Sequence, residues 1–154
     1  MSALAIALHV LAAIIWVGGM FFGFLAVRPA LGSLEVLLRA RLWADIFGRF
    51  FPWVWASILV LLGTGFYMAQ DSFEGLAHAP LFVHVMMGLG ILMMLLFAHL
   101  FFAPYKRLKR AVEAADPTMA AKAMVQVRIL MAVNLAIGLI VVLVAMLGSF
   151  TAFN

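Results

Sequence analysis

Residues 129–150 read ILMAVNLAIGLIVVLVAMLGSF, a run without a single charged side chain. As an α-helix this run would be roughly 33 Å long, enough to cross the ~30 Å hydrocarbon core of a bilayer. Three similar runs precede it, and the four together predict transmembrane helices at about 3–30, 51–69, 81–103 and 126–150. Because the connections between them are short, we expect one domain over residues 1–154: an all-α integral membrane protein, folded as an antiparallel four-helix bundle.

The composition excludes a water-soluble fold. Hydrophobic residues make up 68% of the chain and charged residues 10%, whereas soluble domains have about 45–50% and about 25%. Cysteine is absent from the sequence, which excludes disulfides, thiolate metal sites, a catalytic thiol and covalently attached haem. The four apolar runs contain no Asp or Glu, which argues against a proton pump or ion channel built on carboxylates.

The basic residues predict the topology. All ten Lys and Arg lie within residues 28–49 or 106–128, whereas the connection at 70–80 has only Asp71 and Glu74 as charged residues. By the positive-inside rule the two basic connections are cytoplasmic, so both termini are predicted to lie on the outer side. Topology thus accounts for the net charge of +4, and we expect no nucleic-acid partner.

Two local patterns predict structure at the basic connections. Between residues 33 and 50, leucines and other apolar residues recur at helical spacing while Arg39, Arg41 and Arg49 fall between them. This pattern is typical of an amphipathic helix lying in the membrane interface, and Pro52 would end or kink it. In the other connection, Asp-Pro-Thr at 116–118 predicts a turn followed by a helix start.

Two histidines are predicted to lie at one depth. His9 is a few residues inside the outer end of the first helix, and His84 holds the same position in the third. Both would lie about 5–10 Å below the outer surface. Imidazoles that face each other across a helical bundle bind haem iron from both sides. We therefore expect haem b, with His9 and His84 as axial ligands of the iron.

Neighbouring residues fit such a pocket. Trp16 and Met20 continue the face of the first helix that carries His9, and Gly88, one turn after His84, leaves room for a flat group. The alternative stays open that the histidines bond only to a carbonyl or water and that the small residues only pack helices. His99 lies about 22 Å deeper than His84, with no histidine partner at its depth, so one haem is predicted rather than two.

A second ligand set is present at the outer face. The run from residue 78 to residue 87 contains two imidazoles and two thioethers, from His78, His84, Met86 and Met87. Thioethers favour Cu(I), so a copper site is the alternative to haem. Methionine is also a common core filler, so the eleven methionines of the chain do not decide between these interpretations.

At HVLAAIIWVGGMFF (9–22), RPAL (28–31), FFAPYKR (101–107) and Asn134, the sequence resembles the copper-resistance D (CopD) domain family. This resemblance covers most of the chain and implies an inner-membrane protein linked to copper uptake or tolerance. The first helix, where His9 is followed by Trp16 and Gly18, also resembles that of the related four-helix haem-binding HemJ family. This resemblance implies b-type haem ligated by His9 and possibly His84, and oxidation of protoporphyrinogen. Where HemJ proteins tend to have His-x-Lys, this sequence has His84-Val85-Met86, so that oxidase activity is not expected.

The leading hypothesis is a small b-type haem protein of the bacterial inner membrane, active in electron transfer or redox chemistry with a quinone or a partner protein. As an enzyme it would be a haem-dependent membrane oxidoreductase. Copper uptake, transport or tolerance is the first alternative. An accessory subunit of a larger membrane complex is the second, and a homo-oligomer stays open.

Overall fold

Four long helices make up most of the computed structural model, which describes residues 3–152. They are α1 (Ala3–Ala30), α2 (Val36–Phe73), α3 (Leu81–Glu113) and α4 (Pro117–Ala152). All four are long and apolar enough to cross a membrane. The prediction of an all-helical, multi-pass membrane protein with four spans is confirmed.

Short connections make the helices alternate in direction. Residues 31–35 join α1 to α2, residues 74–80 join α2 to α3, and residues 114–116 join α3 to α4. The first and third connections lie at the end of the bundle that carries the Lys and Arg residues, which we call the basic end. Within the bundle, α1 packs mainly on α2 and α3 mainly on α4. Which end faces the cytoplasm stays a prediction.

At the basic end, α2, α3 and α4 extend beyond the predicted spans. α2 begins at Val36 rather than near 51, α3 ends at Glu113 rather than near 103, and α4 begins at Pro117 rather than near 126. Charged residues interrupt the apolar runs there, but the inward side chains stay apolar. Leu108 and Ala111, three residues apart on α3, are fully buried. The three helices therefore pack closely past the end of α1.

Residues 33–50 do not form the separate interfacial helix predicted from the sequence. From Val36 onward this segment is the first part of α2, which runs unbroken through Pro52. A proline inside a helix removes one backbone hydrogen bond. Here Phe47 and Phe51 stack with ring centroids 4.9 Å apart, and both rings meet Tyr105 of α3 edge-on. This packing holds both sides of the proline turn against α3, so the helix continues.

Wider π-helical turns interrupt two of the helices. They occupy Ile14–Gly18 and Gly23–Val27 in α1, and Phe101–Tyr105 in α3. The stretch in α3 contains Pro104, whose nitrogen has no hydrogen to donate to the carbonyl of Leu100. The first stretch in α1 carries Trp16. Such turns change which side chains face inward, and they are frequent at functional sites.

The turn and helix start predicted at 116–118 is confirmed. The Oδ1 atom of Asp116 accepts hydrogen bonds from the backbone N–H groups of Thr118 and Met119, both at 2.9 Å. These bonds cap the first turn of α4. Ala115 precedes the cap with φ at 49°, a left-handed conformation that ends α3 and reverses the chain.

Candidate functional site

His9 lies at the contact between α1 and α2, where it is half-buried. Its Nδ1 atom is 2.7 Å from Thr64 Oγ1. Thr64 Oγ1 is also 2.6 Å from the backbone carbonyl oxygen of Val60; when the hydroxyl donates to that carbonyl, Oγ1 accepts from the Nδ1–H of His9. In the neutral imidazole Nε2 then keeps its lone pair and is the nitrogen able to bind a metal. Thr64 also lines a cavity of about 190 Å³ between the two helices.

His84 lies on the surface in the first turn of α3. Its Nδ1 atom donates to the carbonyl oxygen of Pro80, at 3.3 Å, so its Nε2 also keeps a lone pair. His78 is exposed in the preceding connection, and Met86 and Met87 are half-buried. Because His84 and Met87 are three residues apart, they face the same side of α3. The predicted copper ligands thus occupy neighbouring turns at the end opposite the basic end.

The structure gives no support to haem held between His9 and His84. His9 is hydrogen-bonded to α2, whereas His84 is exposed and bonded within its own chain segment. Gly88 is also exposed. A Cβ atom added there would meet no atom within 4 Å, so Gly88 does not line a closed pocket. His99 is exposed as well. Within residues 3–152, no group of three or more His, Asp or Glu side chains could hold a metal.

The interior of the bundle instead contains buried methionine side chains. Met20 of α1, Met93 of α3 and Met131 of α4 are only 4–6% exposed and belong to one continuous core. We call these three residues the methionine cluster. Trp16, 2% exposed, lies one turn before Met20 on the same face of α1. Asn134, also 2% exposed, lies one turn after Met131 on α4.

Two polar atoms beside this cluster lack partners. Trp16 Nε1 and Asn134 Oδ1 are buried and have no hydrogen-bond partner among the described residues. Buried polar atoms are normally paired, because leaving one unpaired costs about 1–3 kcal/mol. Trp16 also packs edge-on against Phe97 of α3, with ring centroids 6.0 Å apart. The Trp16 indole and the Asn134 amide therefore place polar atoms in an otherwise apolar interior.

Glycines show how the methionine cluster is spaced along the bundle. A Cβ atom at Gly138 would lie 3.1 Å from Met93 Cε, and one at Gly23 would lie 3.8 Å from Met131 Cε. Met131 and Gly138 are seven residues apart on α4, which corresponds to about 10 Å along the axis. The two thioethers thus lie at successive levels, and Met20 comes from α1 between those levels. The three methionine side chains are therefore spaced along the bundle axis, from its middle toward the basic end.

Of the residues predicted to bind a cofactor, Trp16 and Met20 lie in the interior, His9 lies at its edge, and His84 and Gly88 lie on the surface. Sequence reasoning did not assign the α4 part of the site. A signal for it was available, because Met131, Asn134 and Gly138 recur at a spacing that faces one side of a helix. The same spacing in α1 links Trp16 to Met20.

Residues 44–147, more than half of the chain, match the family described as Copper resistance protein D (CopD). The chain belongs to the CopD family. The CopD match includes α3 and most of α4, and therefore His84, Met93, Met131 and Asn134. It does not include α1, on which the resemblance to the HemJ family rested, and the relation to HemJ is not shown. No curated protein and no solved structure matches this chain.

Proposed function

We propose that this CopD-family protein carries copper, as Cu(I), across the membrane through the interior of the bundle. Family membership supports copper as the cargo. The proposed path is supported by the burial of three thioethers, from Met20, Met93 and Met131, which three different helices contribute. Copper is therefore the substrate of this protein.

The methionine cluster has the chemistry that Cu(I) requires in a membrane. Thioether sulfur is a soft ligand that prefers Cu(I) over hard cations. It is also uncharged, so it can be buried without the cost of burying an ionised group. Beside the sulfurs, the Trp16 ring offers a π face to a cation, and Asn134 Oδ1 offers an oxygen lone pair that no hydrogen-bond donor among the described residues uses. Copper passing between thioethers at successive levels of the bundle would find polar atoms beside them.

Histidines at the end opposite the basic end complete the proposed route. His84 and Met87 share one side of α3, and the His84 Nε2 lone pair is accessible at the surface. His9 keeps its own Nε2 lone pair because Thr64 fixes the proton on Nδ1. We propose that His84, Met86, Met87 and the exposed His78 collect copper there, and that His9 passes it inward. Haem b is not part of the proposal, because His84 faces away from the interior.

A transport measurement tests the methionine cluster. The full chain is reconstituted in liposomes that enclose a Cu(I)-responsive dye, and copper is supplied outside with ascorbate to keep it reduced. We expect the triple variant M20L/M93L/M131L to slow copper flux by about tenfold or more, since each ~1.4 kcal/mol lost from the barrier crossing is a factor of ten. Leucine conserves volume and costs little stability, so the variant should fold.

The matched control is M146L, because Met146 is on α4 but 64% exposed. This variant should carry copper at the wild-type rate. Wild-type flux equal to that of protein-free liposomes would contradict copper transport. Equal flux in the wild type and the triple variant would contradict the interior route.

A further inference from the structure

A cavity of about 620 Å³ opens at the basic end, between the last turns of α1 and the first turns of α4. Trp43 and Phe47 of α2 and Leu108 of α3 form its back wall. Its size is within the range of about 300–1,000 Å³ that is typical of small-molecule sites.

Three arginines line this cavity: Arg28 from α1, Arg39 from α2 and Arg128 from α4. No Asp or Glu is among the described residues that line it. We call it the arginine cleft. Arg39 donates to the carbonyl oxygen of Gly32 at 3.2 Å, and the Arg28 guanidinium lies 4.9 Å from the Phe24 ring centroid. These contacts hold two of the guanidiniums but use few of their N–H donors, since each guanidinium carries five.

Like charges that share a cavity favour an anion. Arginine N–H groups match phosphate oxygens in geometry and can bind them in pairs. On the membrane side of the arginines the cleft wall is apolar and includes Leu25 on α1 and Met131 on α4. A ligand that fits both parts carries a phosphate at one end and a hydrocarbon chain at the other.

The depth of the cleft matches lipid headgroups. α1 has 28 residues, which is about 42 Å of helix. A bilayer with its headgroup regions is about 40–45 Å thick. Arg28, in the last turn of α1, therefore lies at the level of lipid phosphates when α1 spans the membrane. Leu25 and Met131 lie about one turn toward the membrane centre from Arg28 and Arg128, so this apolar wall lies at the level of the acyl chains.

We propose that the arginine cleft binds an anionic phospholipid, with its phosphate between Arg28, Arg39 and Arg128 and an acyl chain between α1 and α4. The inference does not depend on copper transport. Bound lipid would fill the gap between two helices that contact each other little in this region. Its phosphate would also offset part of the positive charge that the three arginines bring together.

Tryptophan quenching by brominated lipid tests this site, because Trp43 lines the cleft. The purified full chain in detergent is titrated with brominated phosphatidylglycerol and, separately, with brominated phosphatidylcholine. We expect the wild type to bind brominated phosphatidylglycerol about tenfold more tightly than brominated phosphatidylcholine. The preference should fall to within about twofold in R28Q/R39Q/R128Q, because the charges that select the anion are lost.

The matched control R107Q/K109Q/R110Q removes the same number of charges at the basic end, from residues that do not line the cleft. This control should keep the preference for the anionic lipid. An equal loss of that preference in both triple variants would overturn the proposal. W43F, with all three arginines in place, should lose the quenching that is specific to the anionic lipid. This variant tests the location of the lipid site even if R28Q/R39Q/R128Q fails to fold. Unchanged quenching in W43F would contradict the cleft. Displacement of the lipid by millimolar inorganic phosphate would identify a free-phosphate site instead and would also overturn the proposal.

Discussion

Replacement of Phe51 by alanine is expected to lower the free energy of unfolding by about 3–5 kcal/mol, the usual cost of removing a buried phenylalanine. Phe51 is 3% exposed and lies at the centre of the α2–α3 contact. Its ring stacks on Phe47 and meets Phe97 and Tyr105 edge-on, with ring centroids 4.9–5.2 Å apart. Inside a bilayer the exclusion of water contributes little between helices, so this packing is a main source of stability.

The measurement is SDS-induced unfolding of the purified protein in mixed micelles. F66A is the matched control, because Phe66 is on the same helix but 55% exposed. It should change stability by less than about 0.5 kcal/mol. If F51A and F66A were equally stable, the aromatic contact would not be what holds α2 to α3 past Pro52.

N134L is expected to stabilise the protein by about 1–3 kcal/mol while slowing copper flux. The Asn134 Oδ1 atom is buried without a partner among the described residues, and removing such an atom recovers its desolvation cost. Leucine has the same number of side-chain heavy atoms, the same branching at Cγ and a better helix propensity. Copper flux should fall because the Asn134 side-chain oxygen beside Met131 is lost. Gained stability with lost activity is typical of a functional polar residue.

Stability by SDS titration and flux in liposomes are measured on the same preparation. Q126L is the control, because Gln126 is an exposed polar residue of α4, and its replacement should change neither quantity. An N134L variant that was less stable than the wild type and carried copper normally would show that Asn134 is a structural residue.

The sequence predicts the helices well, because spanning hydrocarbon demands long uncharged runs. It places the ends of the helices at the basic end less well, since hydropathy counts Lys and Arg against a span even where they face outward. Leu108 and Ala111 lie on the buried side of such a charged segment. An amphipathic pattern of this kind continues a helix beyond the membrane, which a search for apolar runs does not detect.

The candidate site could be predicted only in part, because depth follows from residue number but direction does not. The sequence predicts matching depths for His9 and His84, yet His9 faces α2 and His84 faces outward. Which face of a helix is buried depends on its neighbours and, in α1, on the π-helical turns that shift the register. Arg128 is distant in sequence from Arg28 and Arg39, and only the packing of α4 beside α1 brings it to the same cleft.

The central claim, that buried methionines hold Cu(I), is tested most directly by X-ray absorption at the copper edge of protein loaded with Cu(I). The chain has no cysteine, so every copper–sulfur contact must come from a methionine. We predict sulfur in the first coordination shell of wild-type protein and of M146L. In M20L/M93L/M131L, which keeps Met86 and Met87, we predict a lower average number of sulfur ligands per copper ion. A first shell of nitrogen and oxygen alone, or sulfur that persists unchanged in the triple variant, would contradict the claim.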